Sequence, residues 1–191
     1  MGKLILIRHG QTEMNAQNLY FGKLNPPLNE LGIEQAYMAK EKLSNIAYDC
    51  IYSSPLERTR ETAEICNYLD KEIIYDSRLE EIDFGIFKGL TFKEISEQYP
   101  NEVKEMEKNW KSFNYITGES LEELYQRAVS FLETLDYTKD NLIISHWGII
   151  NCIISYFVSG TLDTYWKFKV DNCSIVIFEG DFDFSYLTKL Y

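Results

Sequence analysis

The first ten residues constrain this chain more than any other stretch. An apolar run, Leu4-Ile5-Leu6-Ile7, stops abruptly at Arg8-His9-Gly10, and Gln11-Thr12 follows. A buried strand that delivers an arginine and a histidine at its C-terminal end places cationic chemistry at the mouth of an α/β sheet, where ligands bind. The chain has two histidines. The other, His146, follows a second apolar run, Asn141-Leu142-Ile143-Ile144-Ser145. Either histidine alone reads equally well as an unrelated strand-end residue or as part of a perturbed site. Both in the same context, with none elsewhere, favour one shared site.

Strands alternate with helical patterns, so the expected class is α/β with a mostly parallel central sheet and helices on both faces, a three-layer sandwich. Strands are expected over 3–8, 49–53, 72–75 and 141–145. Asn29 reads as the N-cap of a helix running to about Ser44, with Ile33, Ala36, Tyr37, Ala39 and Leu43 mostly at helical spacing. Further helices are expected over 56–69 and 148–158. Ser120-Leu121-Glu122-Glu123 is a capping box that opens a helix reaching about Leu135. Residues 174–179 and 185–190 read as closing strands joined at Gly180-Asp181. The 191 residues are read as a single domain, 1–191. Residues 76–118 break the rhythm with Gly85, Gly89, Pro100 and Gly118 and carry two short helical stretches, near 92–98 and 102–112. Part of this excursion, about 86–118, reads either as a cap over the site or as a plain connecting subdomain.

Composition narrows the partners. The net charge of -11 argues against generic nucleic-acid binding, yet leaves room for a locally basic pocket that takes a small anion. No apolar run approaches membrane-spanning length and no signal-peptide pattern opens the chain, so no membrane partner and a cytoplasmic location are expected. The four cysteines lack Cys-x-x-Cys spacing and lie in apolar segments, which reads as buried reduced thiols.

Ser53-Ser54-Pro55 leads into Leu56-Glu57-Arg58-Thr59-Arg60, so Arg58 and Arg60 open a helix against its dipole. A bound anion attracted by both the helix end and Arg58 accounts for that placement; Arg60 is better read as solvent-facing or paired with a neighbouring glutamate. Leu79-Glu80-Glu81-Ile82-Asp83-Phe84-Gly85 gathers carboxylates beside an aromatic and a glycine. Alone, such a run is usually solvated; near a phosphate it supplies a candidate general acid. No P-loop or dinucleotide fingerprint occurs, and no acidic cluster points to magnesium. Two histidines, arginines and a carboxylate near strand ends therefore point to phosphoryl transfer by direct attack of a side chain, without metal or cofactor.

Leu6-Ile7-Arg8-His9-Gly10-Gln11-Thr12 with Asn15 resembles the Arg-His-Gly signature of the histidine phosphatase superfamily, the phosphoglycerate mutase-like proteins. The blocks Pro27 to Gly32 with Gln35-Ala36, Ser53 to Ala63, Leu79 to Gly89, Gly118-Glu119-Ser120 and Ser145-His146 follow in the family's order and span nearly the whole chain. The resemblance implies that His9 is the nucleophile, its other ring nitrogen held by the Gly10 carbonyl. It implies that Arg8, Arg58 and His146 bind the phosphoryl oxygens, with Asn15, Gly22 and Trp147 completing the substrate site. Glu81 aligns with the proton donor, ahead of Glu80 and Asp83.

Two departures bear on substrate. Trp147 stands where the family often has glycine, so its indole narrows the pocket or stacks on a ring. Phe87-Lys88 replaces a frequent Trp-Glu pair; Lys88 adds a cation near the entrance or is simply solvated. Glycolytic mutases carry a basic pair after the acid, whereas this chain has Ile82-Asp83, which favours hydrolysis of a phosphomonoester over mutase chemistry. A non-catalytic phosphoester-binding module is the alternative of another class, disfavoured because nucleophile, acid and second histidine are all present. Size, acid loop and Gly118-Glu119-Ser120 most resemble the α-ribazole phosphatases of cobalamin assembly and small broad-specificity phosphatases. The expected partner is a small phosphorylated metabolite, with a homodimer left open.

Overall fold

A computed structural model describes residues 2–191. In chain order the elements are β1 (Gly2–Arg8), α1 (Glu13–Ala16), β2 (Leu19–Tyr20), α2 (Glu30–Leu43), β3 (Cys50–Ser53), α3 (Glu57–Cys66), β4 (Ile73–Tyr75), β5 (Leu90–Thr91), α4 (Phe92–Gln98), α5 (Pro100–Lys108), α6 (Leu121–Leu132), β6 (Asn141–Ser145), α7 (Trp147–Ser159), β7 (Ile175–Gly180) and β8 (Ser185–Leu190). The main sheet has six strands in the order β4-β3-β6-β1-β7-β8. Pairing is parallel from β4 through β1 and antiparallel at β7 and β8, so the sheet is mixed but mostly parallel.

Alternation along β1 builds the three layers. Leu4 and Leu6 face one apolar cluster with α6 and α7, including Leu124, Phe131, Ile149 and Ile153. Ile5 and Ile7 face the other, with Ala36, Ala39 and Leu43 of α2 and Ala63 and Cys66 of α3. Both faces of β1 are therefore covered, which is why its sequence is continuously apolar. The parallel register sets Arg8 beside Ser145 and Ser53 beside Ile144. Three adjacent strands consequently end level, and the residues just beyond them, His9, His146 and Ser54, meet at one edge.

Local signals placed most helices. Asn29 caps α2 by accepting the Gly32 N–H at 2.9 Å. Ser120 and Glu123 form both bonds of the capping box at α6. The α2 core stripe, however, runs through Gly32, Ala36, Ala39 and Leu43, while Ile33 and Tyr37 are exposed. Small residues let α2 lie close to the sheet, and that closeness sets its rotation. The helix expected over 56–69 ends at Cys66, because Asn67 leaves helical backbone and turns its side-chain oxygen to the Tyr48 hydroxyl and the Lys71 N–H. The stretch expected over 102–112 is α5, which begins earlier, with Pro100 in its first turn. The hairpin at Gly180 is present between β7 and β8.

The small β2-β5 ribbon had no sequence signal. It joins Leu19–Tyr20 to Leu90–Thr91, and Gly89 N–H donates to the Tyr20 carbonyl at 2.7 Å. It ties the loop after β1 to the loop carrying Glu81. All four cysteines are free, with Cys66, Cys152 and Cys173 buried and Cys50 half-buried. Among the described residues, no helix is long and apolar enough to cross a membrane.

Candidate active site

The end of β1 is clamped on every side. His9 N–H donates to the Ser145 carbonyl at 3.0 Å and Cys173 N–H to the Arg8 carbonyl at 3.0 Å. Asn172 Nδ2 donates to the His9 carbonyl at 2.9 Å, and Gly10 N–H donates to Thr62 Oγ1 at 3.1 Å. Position 10 admits only glycine, since a Cβ there would run into the Gly32 carbonyl.

His9 Nδ1 lies 2.7 Å from the Gly10 carbonyl oxygen. A carbonyl only accepts, so Nδ1 carries the proton and Nε2 is left with a lone pair. Arg58 Nε donates toward that lone pair at 3.3 Å. Burial, then the charges of Arg58 and Arg8, push the His9 pKa well below its ordinary value, against the opposing Gly10 bond. The imidazole is neutral at neutral pH, as a nucleophile must be.

His146 stacks edge-on to His9 with ring centroids 5.1 Å apart. Its Nε2 is held by Ser54 Oγ at 2.8 Å, while its buried Nδ1 has no partner. Burial first, then Arg58 and His9, lower its pKa well below the ordinary range. Arg58 is fully buried. Its Nη1 and Nη2 donate to the Leu24 and Gly22 carbonyls at 2.8 and 2.7 Å, and its guanidinium lies 4.8 Å from the Phe21 ring centre. Burial lowers its pKa to about 10, with Glu81 opposing, so it stays charged at neutral pH. Arg8 Nη1 donates to the Val170 carbonyl at 2.8 Å, and its buried Nε has no partner. Neither arginine has a carboxylate within 4 Å among the described residues. Buried charges and donors without partners are costly, and here they surround one nucleophilic nitrogen. A dianion between them would offset the Arg8 and Arg58 charges and accept from the unpartnered Arg8 Nε.

Asn15 spends its side-chain oxygen on the Thr12 N–H at 3.1 Å, closing a capping box over α1, which leaves its amide N–H groups for an anion. Gly22 enters the site through its carbonyl, as the Arg58 acceptor, and packs so tightly that a Cβ would meet the Ile82 carbonyl. Glu81 Oε2 accepts the Gly148 N–H at 3.2 Å, at the start of α7, and Oε1 accepts the Ile82 N–H at 3.0 Å. Its neighbours are engaged elsewhere. Glu80 pairs with Lys23 at 3.4 Å. Asp83 pairs with Lys88 at 3.0 Å. Burial works against ionisation of Asp83, but the Gly85 N–H and Lys88 bring its carboxyl below the usual range. Lys88 is exposed, as a solvated lysine would be, and its charge is paired with Asp83 rather than free at the entrance.

Arg127 of α6 holds the loop that carries Glu81. Its Nη1 donates to the Arg78 and Glu80 carbonyls at 2.7 and 2.8 Å, and a bidentate bond to Glu119, 2.7 Å on each arm, fixes the guanidinium. Neither Arg127 nor the roles of Ser54, Thr62 and Asn172 were visible in the sequence. For Ser54 the Ser-Ser-Pro strand end was the available signal; for Arg127 there was none.

Two cavities flank Tyr20 and Phe84, which line both. On one side, about 400 Å³ is bordered by Arg8, Gln11, Asn15 and Asn172. On the other, about 500 Å³ is bordered by Glu81, Gly148, Trp147, Tyr165 and Trp166, and by Met106, Trp110 and Tyr115 from the 86–118 excursion. Among the described residues, no three His, Cys, Asp or Glu side chains come together as a metal site requires.

The sequence model of the Histidine phosphatase superfamily (branch 1) matches residues 4–190. The chain belongs to the histidine phosphatase superfamily. It is 35% identical over 178 residues to Phosphoserine phosphatase 1 of Hydrogenobacter thermophilus, covering 91% of this chain and 84% of that one. A putative α-ribazole-5'-P phosphatase from Escherichia coli superposes with a TM-score of 0.91 at 26% identity, over 99% of this chain and 95% of that chain. A mutant phosphoserine phosphatase from Entamoeba histolytica, solved with phosphoserine, superposes with a TM-score of 0.87 at 29% identity, over 100% and 96% of the respective chains. The protein is a phosphatase of this superfamily with the α/β sandwich expected of it.

Proposed function

We propose that this phosphatase hydrolyses a small phosphomonoester through a phosphohistidine on His9, without metal or cofactor. The observation that carries the reading is the pair of buried, unpartnered nitrogens, Arg8 Nε and His146 Nδ1, flanking a histidine whose Nδ1 is tied to the Gly10 carbonyl. The phosphoryl group lies among Arg8, Arg58, His146 and the Asn15 amide, and Gly22 serves by anchoring Arg58. His9 Nε2 attacks phosphorus as the bond to the leaving oxygen breaks, and the Glu81 carboxyl gives that oxygen its proton. The Glu81 carboxylate then takes a proton from water, whose oxygen attacks phosphorus. The P–N bond breaks, phosphate departs and the Nε2 lone pair returns. The arginines and His146 stabilise charge in both transition states.

Hydrolysis rather than mutase chemistry is supported by the two residues after Glu81. Ile82 is buried and Asp83 is paired with Lys88, so neither position supplies a free cation for a second phosphate. α-Ribazole 5'-phosphate and phosphoserine are the candidate substrates named for similar proteins. The excursion 86–118 acts as a cap over the leaving group, and the protein works in the cytoplasm.

Rapid quench with a ³²P-labelled phosphomonoester in EDTA tests the mechanism. The expected result is an acid-labile, base-stable label on the wild type and none on His9→Ala. Turnover that disappears in EDTA, or a label that persists in His9→Ala, would refute it.

A further inference from the structure

All three tryptophans of the chain, Trp110, Trp147 and Trp166, line one cavity of about 500 Å³ beside Glu81. They interlock with Tyr165: Trp147 and Tyr165 are 5.2 Å apart, Tyr165 and Trp166 4.8 Å, and Trp110 and Trp166 6.0 Å. Trp166 is 61% exposed. Clustered with two other indoles and a tyrosine, it belongs to an aromatic wall of the kind enriched where ligands or partners pack. Glu81 sits on the wall of this chamber, and a proton donor must reach the leaving oxygen. The group attached to that oxygen therefore enters the chamber, while the phosphoryl oxygens face Arg8 and Asn15.

Charge around the chamber is one-sided. The charged lining residues are Glu81 and Glu107, and no lysine or arginine lines it. Of the nearby cations, Lys23, Lys88, Lys111 and Arg127 are matched with Glu80, Asp83, Asp163 and Glu119, while Lys108 and Lys167, next in chain to the lining residues Glu107 and Trp166, do not themselves line the chamber. A carboxylate on the leaving group would lose water and find only acidic neighbours. Aromatic faces instead reward a flat ring, and tolerate or attract positive charge on it.

We infer that the physiological leaving group is an alcohol bearing a planar aromatic ring without negative charge, and that carboxylate-bearing esters such as phosphoserine are poor substrates. The inference rests on the phosphomonoesterase reading and narrows its substrate class. A volume of 500 Å³ accommodates a bicyclic ring with its linker.

Matched primary-alcohol esters test it, because similar leaving oxygens place similar demands on Glu81. The set is ethyl phosphate, 2-phenylethyl phosphate, and the para-carboxylate and para-trimethylammonium derivatives of the latter. The phenyl ring is expected to raise kcat/KM over ethyl phosphate by about tenfold or more, from ring burial. The carboxylate abolishes that gain and the quaternary ammonium keeps it. Trp166→Ala lowers the phenyl-to-ethyl ratio toward one. Equal kcat/KM for ethyl and phenylethyl esters, or an equally good carboxylate ester, would overturn the inference.

A second readout needs no turnover. In His9→Ala all tryptophan emission comes from the chamber walls, so 2-phenylethyl phosphate should cause a saturable blue shift that ethyl phosphate does not. No shift would overturn the chamber assignment. A shift in His9→Ala together with a wild type that hydrolyses none of the esters would uphold the chamber and refute the phosphomonoesterase reading instead.

Discussion

Gly148→Ala is the sharpest probe of how Glu81, the proposed proton donor, is held. Gly148 is the second residue of α7, and its N–H donates to Glu81 Oε2 at 3.2 Å. A Cβ at this position would overlap Glu81 Oε1 and lie 3.1 Å from Leu124 Cδ2. Leu124 is fully buried, so it cannot yield, and the carboxyl group must move by about 1 Å. Displacement of that size in a reacting group costs about 10²-fold in rate, within the range a general acid contributes. The loss should fall on kcat for an alkyl phosphate, whose leaving oxygen needs the proton. Phosphohistidine formation from p-nitrophenyl phosphate, with a good leaving group, should slow by less than about tenfold. Stability should change little, because alanine gains up to about 1 kcal/mol in helix propensity over glycine and so offsets the contact with Leu124. Rapid-quench rates of phosphohistidine formation from both esters, with a melting curve as control, decide the matter. Formation from the alkyl phosphate within twofold of wild type, or equal losses in formation from both esters with the fold intact, would refute the placement of Glu81.

The remaining predictions concern the support around the site. Arg127→Leu leaves Glu119 without its partner in a mostly buried setting and frees the Arg78 and Glu80 carbonyls; it should cost about 3 kcal/mol in urea denaturation, and an unchanged midpoint would show that the pair contributes nothing. Both histidines have folded pKa values below 6.5, through burial first and Arg58 next. The unfolded chain therefore binds more protons below about pH 6.5, so stability is fully present above that pH. It declines as pH falls, with a slope approaching about 1.4 kcal/mol per pH unit for each histidine. With two histidines in the chain, proton NMR of the imidazole Cε1–H resonances reads them individually, and a midpoint near 6.5 for either would contradict its burial as a neutral ring.

Much of the site was legible because its members sit at the ends of short apolar runs. Strand periodicity needs only neighbours two residues apart, and caps need only three or four, so β1, β6, the Asn29 cap and the Ser120 box follow from local chemistry. The same locality explains the misses. The rotation of α2 depends on which side chains let it approach the sheet, and so Ile33 and Tyr37 face solvent. The ribbon between Leu19–Tyr20 and Leu90–Thr91 joins segments about seventy residues apart with no pattern of its own. Arg127 looks like any arginine on an amphipathic helix until the carbonyls of the Glu81 loop are seen beneath it.

Read alone, the sequence determined the type of fold and the strand ends that carry the candidate reactive residues, since apolar patterning and capping are written in adjacent residues. The tertiary structure alone decided that those residues form a site. The parallel register that sets Arg8 beside Ser145 brings His9 and His146 to 5.1 Å across 137 positions of chain. The matching end of β3 supplies Ser54 to orient His146. Packing of α5, α7 and the loops beyond them converges the three tryptophans on Glu81. Such contacts arise from the burial of whole faces against one another, a property of the assembled layers that no short window of sequence contains.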